Sequence, residues 1–313
     1  MKLPTTKYLV TGASGFIGTS VTMALASRKG VDVHVIARKT SNLWRLDSYR
    51  TKIQIHYLDL TDTEAVNAVF TKVQPQHVIN CAEPATHTKA AAEFIRQHQQ
   101  SVAMMTNLLE AVRQFPVQSM VHLGSSMVYK PFTQPATEAN EFSPISNKGL
   151  IKLTERNLCQ FYAHHYQIPI RIARVFRAYG PFEQPKRLLF SLFRANEEQA
   201  AIRLSADNVV RNYTYIEDLV NGILLMSNAN LTPGEEIILT GNSHHSAKEV
   251  AHLIESITQQ RFTYHSDHFP PVAADRHYCQ VDPTKAKQLL GWEATTSLNQ
   301  GLRKTYAWWN KHK

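Results

Sequence analysis

Lys7-Tyr-Leu-Val-Thr-Gly-Ala-Ser-Gly-Phe-Ile-Gly-Thr19 decides the fold of this chain. Tyr8, Leu9 and Val10 read as a short buried strand, and Gly12, Gly15 and Gly18 follow at three-residue spacing. Phe16 and Ile17 open an amphipathic helix that continues through Val21, Leu25 and Ala26. The three glycines serve different mechanical ends, which are a tight turn, close backbone approach to a pyrophosphate, and close packing of helix on strand. The N–H groups at the helix start have no intrahelical acceptor, so they face the phosphates. A glycine triplet with a strand before it and a helix after it is the context of a dinucleotide-binding corner.

Outward from that corner, strand and helix patterns alternate, which implies βαβ units and a parallel sheet. Apolar runs at Val31–Ala37, Ile53–Tyr57, His77–Asn80 and Ser119–Leu123 predict strands. Helical periodicity covers about 64–72 and, at greater length, about 90–115, where Leu108, Leu109 and Val112 share one face. A further helix is expected over about 148–166 and a strand over Ile168–Val175. From residue 176 the pattern is shorter and mixed, with a helix near 247–256 and a terminal helix whose Trp308-Trp309 pair should dock it on the body. The expected fold class is α/β, a doubly wound parallel Rossmann sheet over 1–175. Residues 176–313 are expected to form mainly a smaller, mixed substrate-binding cap, with some segments returning to the Rossmann domain. Ligand should bind at the carboxyl ends of the strands, between the two.

A chain of 313 residues can bury a substantial core, and 43% apolar with 19% charged residues is an ordinary globular balance. No apolar run reaches the length of a membrane span, and no signal-peptide pattern precedes the first strand. Cys81, Cys159 and Cys279 are odd in number and far apart, without a CxxC pair. They read as buried thiols of a reduced compartment, the cytoplasm. The formal charge of +9 invites a nucleic-acid reading, but the basic residues are dispersed and no nucleic-acid motif accompanies them. A basic cleft for a diphosphate-bearing small molecule accounts for part of the excess. None of the 15 histidines has metal-ligand spacing, so no metal is expected.

Further motifs follow the glycine turn in order: Asp59-Leu60, Asn80-Cys-Ala82 at a strand end, and Gly124-Ser-Ser-Met-Val-Tyr129. Arg174-Val-Phe-Arg-Ala-Tyr-Gly-Pro181, Arg211-Asn-Tyr-Thr-Tyr-Ile-Glu-Asp218 and Asp282-Pro-Thr-Lys-Ala-Lys-Gln-Leu-Leu-Gly-Trp292 come later. Together, over essentially the whole chain, they resemble the extended short-chain dehydrogenase/reductase family, in its nucleotide-sugar epimerase, dehydratase and reductase branch. The last three are similar to that family's R-x-x-N-V-Y-G-P, R-D-F-x-Y-V-D-D and D-x-x-K-A-x-x-x-L-G-W. The resemblance implies a nicotinamide cofactor held by Gly12, Ser14, Gly15, Phe16, Ile17 and Gly18. It places Asp59 and Leu60 at the adenine, and Cys81 and Ala82 beside the cofactor. It also implies a catalytic hydroxyl at Ser125 and a nucleotide-sugar substrate met by Arg211, with Ser126, Glu138 and Arg177 as further candidate contacts to that substrate. A homodimer is a further implication, paired through helices at about 90–115 and 148–166. Leu108, Leu109 and Val112, or Leu158, Phe161 and Tyr162, are the candidate apolar faces, and the same stripes also suit ordinary core.

One departure bears on the chemistry. The family's catalytic pair is Tyr-x-x-x-Lys, in which the phenol exchanges a proton with the sugar hydroxyl and the lysine binds the cofactor ribose. Here Ser146-Asn-Lys-Gly-Leu-Ile-Lys152 puts Lys152 at the lysine position and Lys148 at that of the tyrosine, a KxxxK motif. Residues four apart share a helix face, so the two ammonium groups should disfavour each other's charge and lower at least one lysine pKa. A lysine so depressed can act as an acid or base, whereas one that stays charged only contacts an anion. Ser125, Ser126, Tyr129, Glu138 and His87 are alternative proton carriers. Ser101 stands where the family has the asparagine that helps to position the lysine, and Arg177 replaces the asparagine before the V-Y-G-P. Arg38 and Lys39 follow the second strand, where NAD-selective members place an acid, so Arg38 is expected to pair with a 2′-phosphate and favour NADP(H), with NAD possible. The expected activity is an NADP(H)-linked epimerase or ketoreductase of a nucleotide-activated sugar. Ser126-Met127 in place of Asp-Glu argues against a 4,6-dehydratase, and the alternative class is a cofactor- or sugar-nucleotide-binding protein without redox turnover.

Overall fold

Short strands, most of them largely buried, form the central sheet of this protein, seen here in a computed structural model that describes residues 5–84, 90–130, 134–205, 209–241, 243–261, 263–265 and 280–312. Its strands are β1 (Thr6–Thr11), β2 (Val31–Ala37), β3 (Ile53–Tyr57), β4 (His77–Asn80), β5 (Ser119–Ser125) and β6 (Ile170–Val175), joined later in the chain by β10 (Glu235–Leu239). The spatial order is β10-β6-β5-β4-β1-β2-β3. The pairs β1–β2, β2–β3, β1–β4 and β4–β5 are parallel. Every residue of β4 and β6 is buried, as strands covered on both faces require. The order reverses between β1 and β4, and such a switch point is where α/β sheets open a crevice at their carboxyl ends.

Helices α1 (Phe16–Ala26), α2 (Thr63–Val73), α3 (Ala91–Gln114) and α4 (Asn147–Tyr166) connect these strands. Asp62 caps α2 by accepting from the Ala65 N–H, and Ser146 caps α4 by accepting from the Gly149 N–H. Leu108, Leu109 and Val112 are buried in one cluster with Leu9, Phe70 and Met120. That stripe is therefore core within the chain, and of the two candidate interface faces only Phe161 presents a largely exposed apolar ring.

The chain divides into two compact units. The first comprises 1–128, 146–174 and 220–237, and the second 129–145, 175–219 and 238–313. The second unit contains β7 (Ala178–Tyr179), β8 (Ile202–Arg203), β9 (Val210–Tyr215), β11 (Ser243–Ser246) and β12 (Tyr264–His265). They form a β11-β9-β7 sheet and a separate β12-β8 pair. Its helices are α5 (Leu188–Glu198), α7 (Ala247–Thr258), α8 (Thr284–Leu290) and α9 (Leu298–His312), while α6 (Ile216–Asn228) runs from the second unit into the first. Trp292, buried after α8, donates from Nε1 to the Asp218 carbonyl at 3.0 Å, and the Asp218 carboxylate accepts from the Thr296 N–H. Two sequence motifs 74 residues apart thus close on one another. Trp309 packs on Phe190 and Phe193 and donates to Glu197, which docks α9 on α5.

Candidate functional site

The glycine turn closes on backbone atoms that leave no room for a side chain at Gly12 or Gly18. Gly12 has φ +68°, and a Cβ there would overlap the Cys81 carbonyl and lie 2.6 Å from the Ala82 N, so β1 reaches the end of β4 only without a side chain. A Cβ at Gly18 would strike the Gly12 carbonyl, which fixes how closely α1 sits under the turn. Gly15 is the N-cap of α1 and offers no side-chain acceptor to the first-turn N–H groups. Those donors are what a pyrophosphate needs. Ser14, Phe16 and Ile17 are half-buried around them. Arg38 is exposed immediately beyond β2, Leu60 is buried, and Asp59 uses one carboxylate oxygen to accept from the Thr61 N–H and hydroxyl.

Next to this turn, β4, β5 and α4 bring together a charged cluster. Ser125 ends β5, and its Oγ accepts from the Met127 N–H at 3.2 Å, so the hydroxyl sits on the tight turn that holds Ser126. Lys152 is buried on α4 and donates to the Leu123 carbonyl of β5 at 3.1 Å. Its Nζ also lies 2.9 Å from Glu155 and 3.5 Å from Glu83. Lys148, half-buried in the first turn of α4, pairs with the other oxygen of Glu83 at 2.8 Å. The expectation of a depressed lysine is overturned at Lys152. Burial by itself would lower its pKa, but Glu155 and then Glu83 outweigh burial and hold it above the ordinary lysine value.

Glu155 extends the cluster inward. Burial pushes its carboxyl up, yet Lys152 and His122 bring it down to about 2. It accepts from the Ser101 hydroxyl at 2.5 Å, and its second oxygen lies 3.3 Å from His122 Nε2. Asn80 contacts His122 Nδ1 at 3.1 Å and accepts from the Thr11 hydroxyl. Ser101 therefore reaches the lysine through Glu155. Burial holds the His122 imidazole below its usual pKa, and it pushes the Cys81 thiol up to about 12.

In the second unit, Arg177, Arg203 and Arg211 line a pocket of about 190 Å³ with Ser205 and Tyr213. The Arg177 guanidinium lies over the Tyr213 ring, 5.8 Å from its centroid. Glu183, on the turn after β7, is pushed up to about 7 by burial against the opposing pull of Arg187 and Arg177. One carboxylate oxygen of Glu138 accepts from the Ile238 N–H at 2.8 Å. Tyr129 is buried and stacks on Phe142. His87 and Cys279 lie outside the described residues.

The sequence-derived site residues thus gather in two groups. Gly12, Gly15, Gly18, Cys81, Ala82, Ser125, Lys148 and Lys152 belong to the first unit, and Arg177 and Arg211 to the second. Sequence reasoning missed Glu83, His122 and Glu155, together with Arg203 and Glu183. The available signal was a carboxylate three residues after Lys152, on the same helix face.

The profile of the NAD dependent epimerase/dehydratase family matches residues 8–240. The chain is similar to an uncharacterized UDP-glucose epimerase of Bacillus subtilis, with 31% identity over 96% of this chain and 97% of that one. It is 28% identical to a UDP-glucuronate 4-epimerase of Thermodesulfobacterium geofontis, over 96% of this chain and 95% of that one. Among solved structures, the UDP-glucuronic acid 4-epimerase of Bacillus cereus, crystallised with UDP-glucuronic acid and NAD, superposes with a TM-score of 0.88. That match has 25% identity and covers 98% of this chain and 100% of that one.

Proposed function

The chain belongs to the NAD dependent epimerase/dehydratase family, and from that premise we propose that it is an NADP(H)-linked enzyme acting on a nucleotide-activated sugar, as an epimerase or ketoreductase. The observation that carries this reading is the junction of β1 and β4. Gly12 there leaves no room for a side chain, and Lys152 is tied to the neighbouring β5 carbonyl. When bound, the cofactor supplies a hydride acceptor and donor. The α1 amides bind its pyrophosphate, Arg38 takes the 2′-phosphate and Lys152 holds the ribose hydroxyls. Ser125 hydrogen-bonds the reacting sugar hydroxyl, and Lys148 occupies the tyrosine position as the group that exchanges its proton. Arg177 and Arg211 hold the diphosphate of the substrate in the second unit. Relatives named for UDP-sugars make a UDP-linked substrate the first to test.

A second reading is favoured by the Lys148–Glu83 ion pair, because a lysine engaged by a carboxylate is a poor proton acceptor. Under it the protein binds cofactor or sugar nucleotide without redox turnover. Incubating the protein with NADP+ or NAD+ and a panel of UDP-, GDP- and dTDP-sugars, with products separated by chromatography, decides between the two. Epimerised or reduced product is expected. Lys148→Met should cut turnover by about a hundredfold or more while cofactor affinity stays nearly intact. Stoichiometric binding without product across the panel would establish the second reading.

A further inference from the structure

Glu83 answers to none of the motifs from which the site is read, yet it touches both members of the KxxxK pair. It follows β4 directly beyond Cys81 and Ala82, beside the glycine turn. Its two oxygens are divided between the lysines, one 2.8 Å from Lys148 Nζ and the other 3.5 Å from Lys152 Nζ. Two ammonium groups one helical turn apart repel each other. The first turn of a helix makes this worse, because its dipole disfavours a cation there and favours an anion. A carboxylate delivered from β4 relieves both conflicts at once. Among the described residues, the charged and titratable groups facing Glu83 are Lys148 and Lys152, with Glu155 and the Cys81 thiol beyond them. An isolated ion pair at the surface is worth little. Here Glu83 keeps more than a third of its side chain exposed, but Lys152 is buried, Lys148 is half-buried, and one carboxylate serves both.

We propose that Glu83 is a positioning residue for the lysine pair: it bridges Lys148 and Lys152 and holds Lys148 as a charged hydrogen-bond donor at the end of β4. The inference rests only on Lys148 occupying the position of the family's tyrosine; a lysine held charged there can give a proton to a ligand but is a poor acceptor of one. One of the three ammonium hydrogens of Lys148 is taken by Glu83, which leaves the others to meet a ligand hydroxyl or phosphate. The site then presents a fixed cation where a phenol would present a neutral donor.

The test measures the lysines themselves and needs no turnover. The whole protein is pulse-labelled with acetic anhydride across a pH series, and each lysine is read by peptide mass spectrometry, with exposed Lys39 as internal reference. Only the neutral amine reacts. In Glu83→Gln, Lys148 should label several-fold faster than in the unaltered protein at the same pH, because its amine has lost the carboxylate it donates to. Glu83→Asp, which keeps the charge, should stay near the unaltered curve. A merely structural role for Glu83 would lower the melting temperature of Glu83→Gln and leave the Lys148 curve where it was. That result overturns the proposal, as does Glu83→Asp behaving like Glu83→Gln. Where the nucleotide-sugar panel does give product, the pH profile of kcat/KM should move in the same direction in Glu83→Gln. A panel without product sinks the proposed activity and leaves the labelling result to decide Glu83.

Discussion

Glu155 carries more of the site's integrity than its place between two motifs implies. It is buried and joins Lys152 at 2.9 Å, Ser101 at 2.5 Å and the edge of the His122 ring. Replacing it with glutamine leaves a buried ammonium short of its main counter-charge, so Glu155→Gln should cost about 3 kcal/mol, read from urea unfolding. Removing both charges with Glu155→Leu and Lys152→Met together should cost less than the single change, because no buried charge is then stranded. Its carboxyl is held at about 2, below the ordinary 4.5, so the stability it contributes is complete above pH 4.5 and is lost as pH falls toward 2. An acid-unfolding curve that is the same in Glu155→Gln would remove Glu155 from this role. Arg38 belongs to the same scale. Exposed just beyond β2, it is available to a 2′-phosphate, so NADPH should bind more tightly than NADH. Arg38→Asp should erase or reverse the preference in calorimetric titration, and equal affinities in the unaltered protein would count against the NADP(H) reading.

Between β2 and β3 the pairing depends on more than the backbone ladder. His34 Nδ1 and His56 Nε2 share a hydrogen bond of 3.0 Å, and His34 Nε2 lies 3.2 Å from Asp32. Burial is the largest cause that holds both imidazoles below 6.5. Asp32 partly offsets it at His34, and Lys72 adds to it at both, as Lys7 does at His34. A His–His hydrogen bond needs at least one neutral ring. Since both folded pKa values are depressed, the stability these rings contribute is present above 6.5 and lost as pH falls below it. β3 lies at the end of the sheet, with β2 as its neighbour there, so it should loosen first. Hydrogen exchange of Ile53–Tyr57, corrected for intrinsic rate, should quicken between neutral pH and about pH 5. His56→Gln should abolish that acceleration. If the acceleration survives the substitution, the pair is not its cause.

For the molecule as a whole, assembly is the open consequence of the exposed surface. Ile95 on α3 and Leu150, Phe161 and Tyr166 on α4 are large apolar side chains with 42–54% of their surface exposed. The two helices pack against each other within the first unit. A two-fold pairing of such a helix pair would cover these side chains with their own copies. Light scattering should give a dimer at micromolar concentration, and Phe161→Glu should give a monomer. A monomeric unaltered protein refutes this.

Local patterns were legible because local sterics decide them. The glycine spacing, the strands at Val31–Ala37, Ile53–Tyr57 and His77–Asn80, and the start of α4 near Lys148 each depend on neighbours in the chain. Burial periodicity said that Leu108, Leu109 and Val112 form an apolar face, but a face toward core and a face toward a partner have the same period. Packing against Leu9, Phe70 and Met120 made it core. The seventh strand, β10, joins the sheet beside β6 from a segment well beyond the Rossmann pattern. The charge state of the site was least legible of all. Two lysines four apart imply repulsion when read as a sequence, whereas in the structure Glu155 on the same helix and then Glu83, 65 residues from Lys148, keep Lys152 charged. Sequence by itself determined the nucleotide-binding corner and the alternating fold, because backbone geometry and period are written residue by residue. Tertiary structure alone decided that Glu83 meets both lysines, because Coulomb energy depends on distance in space and not on separation along the chain.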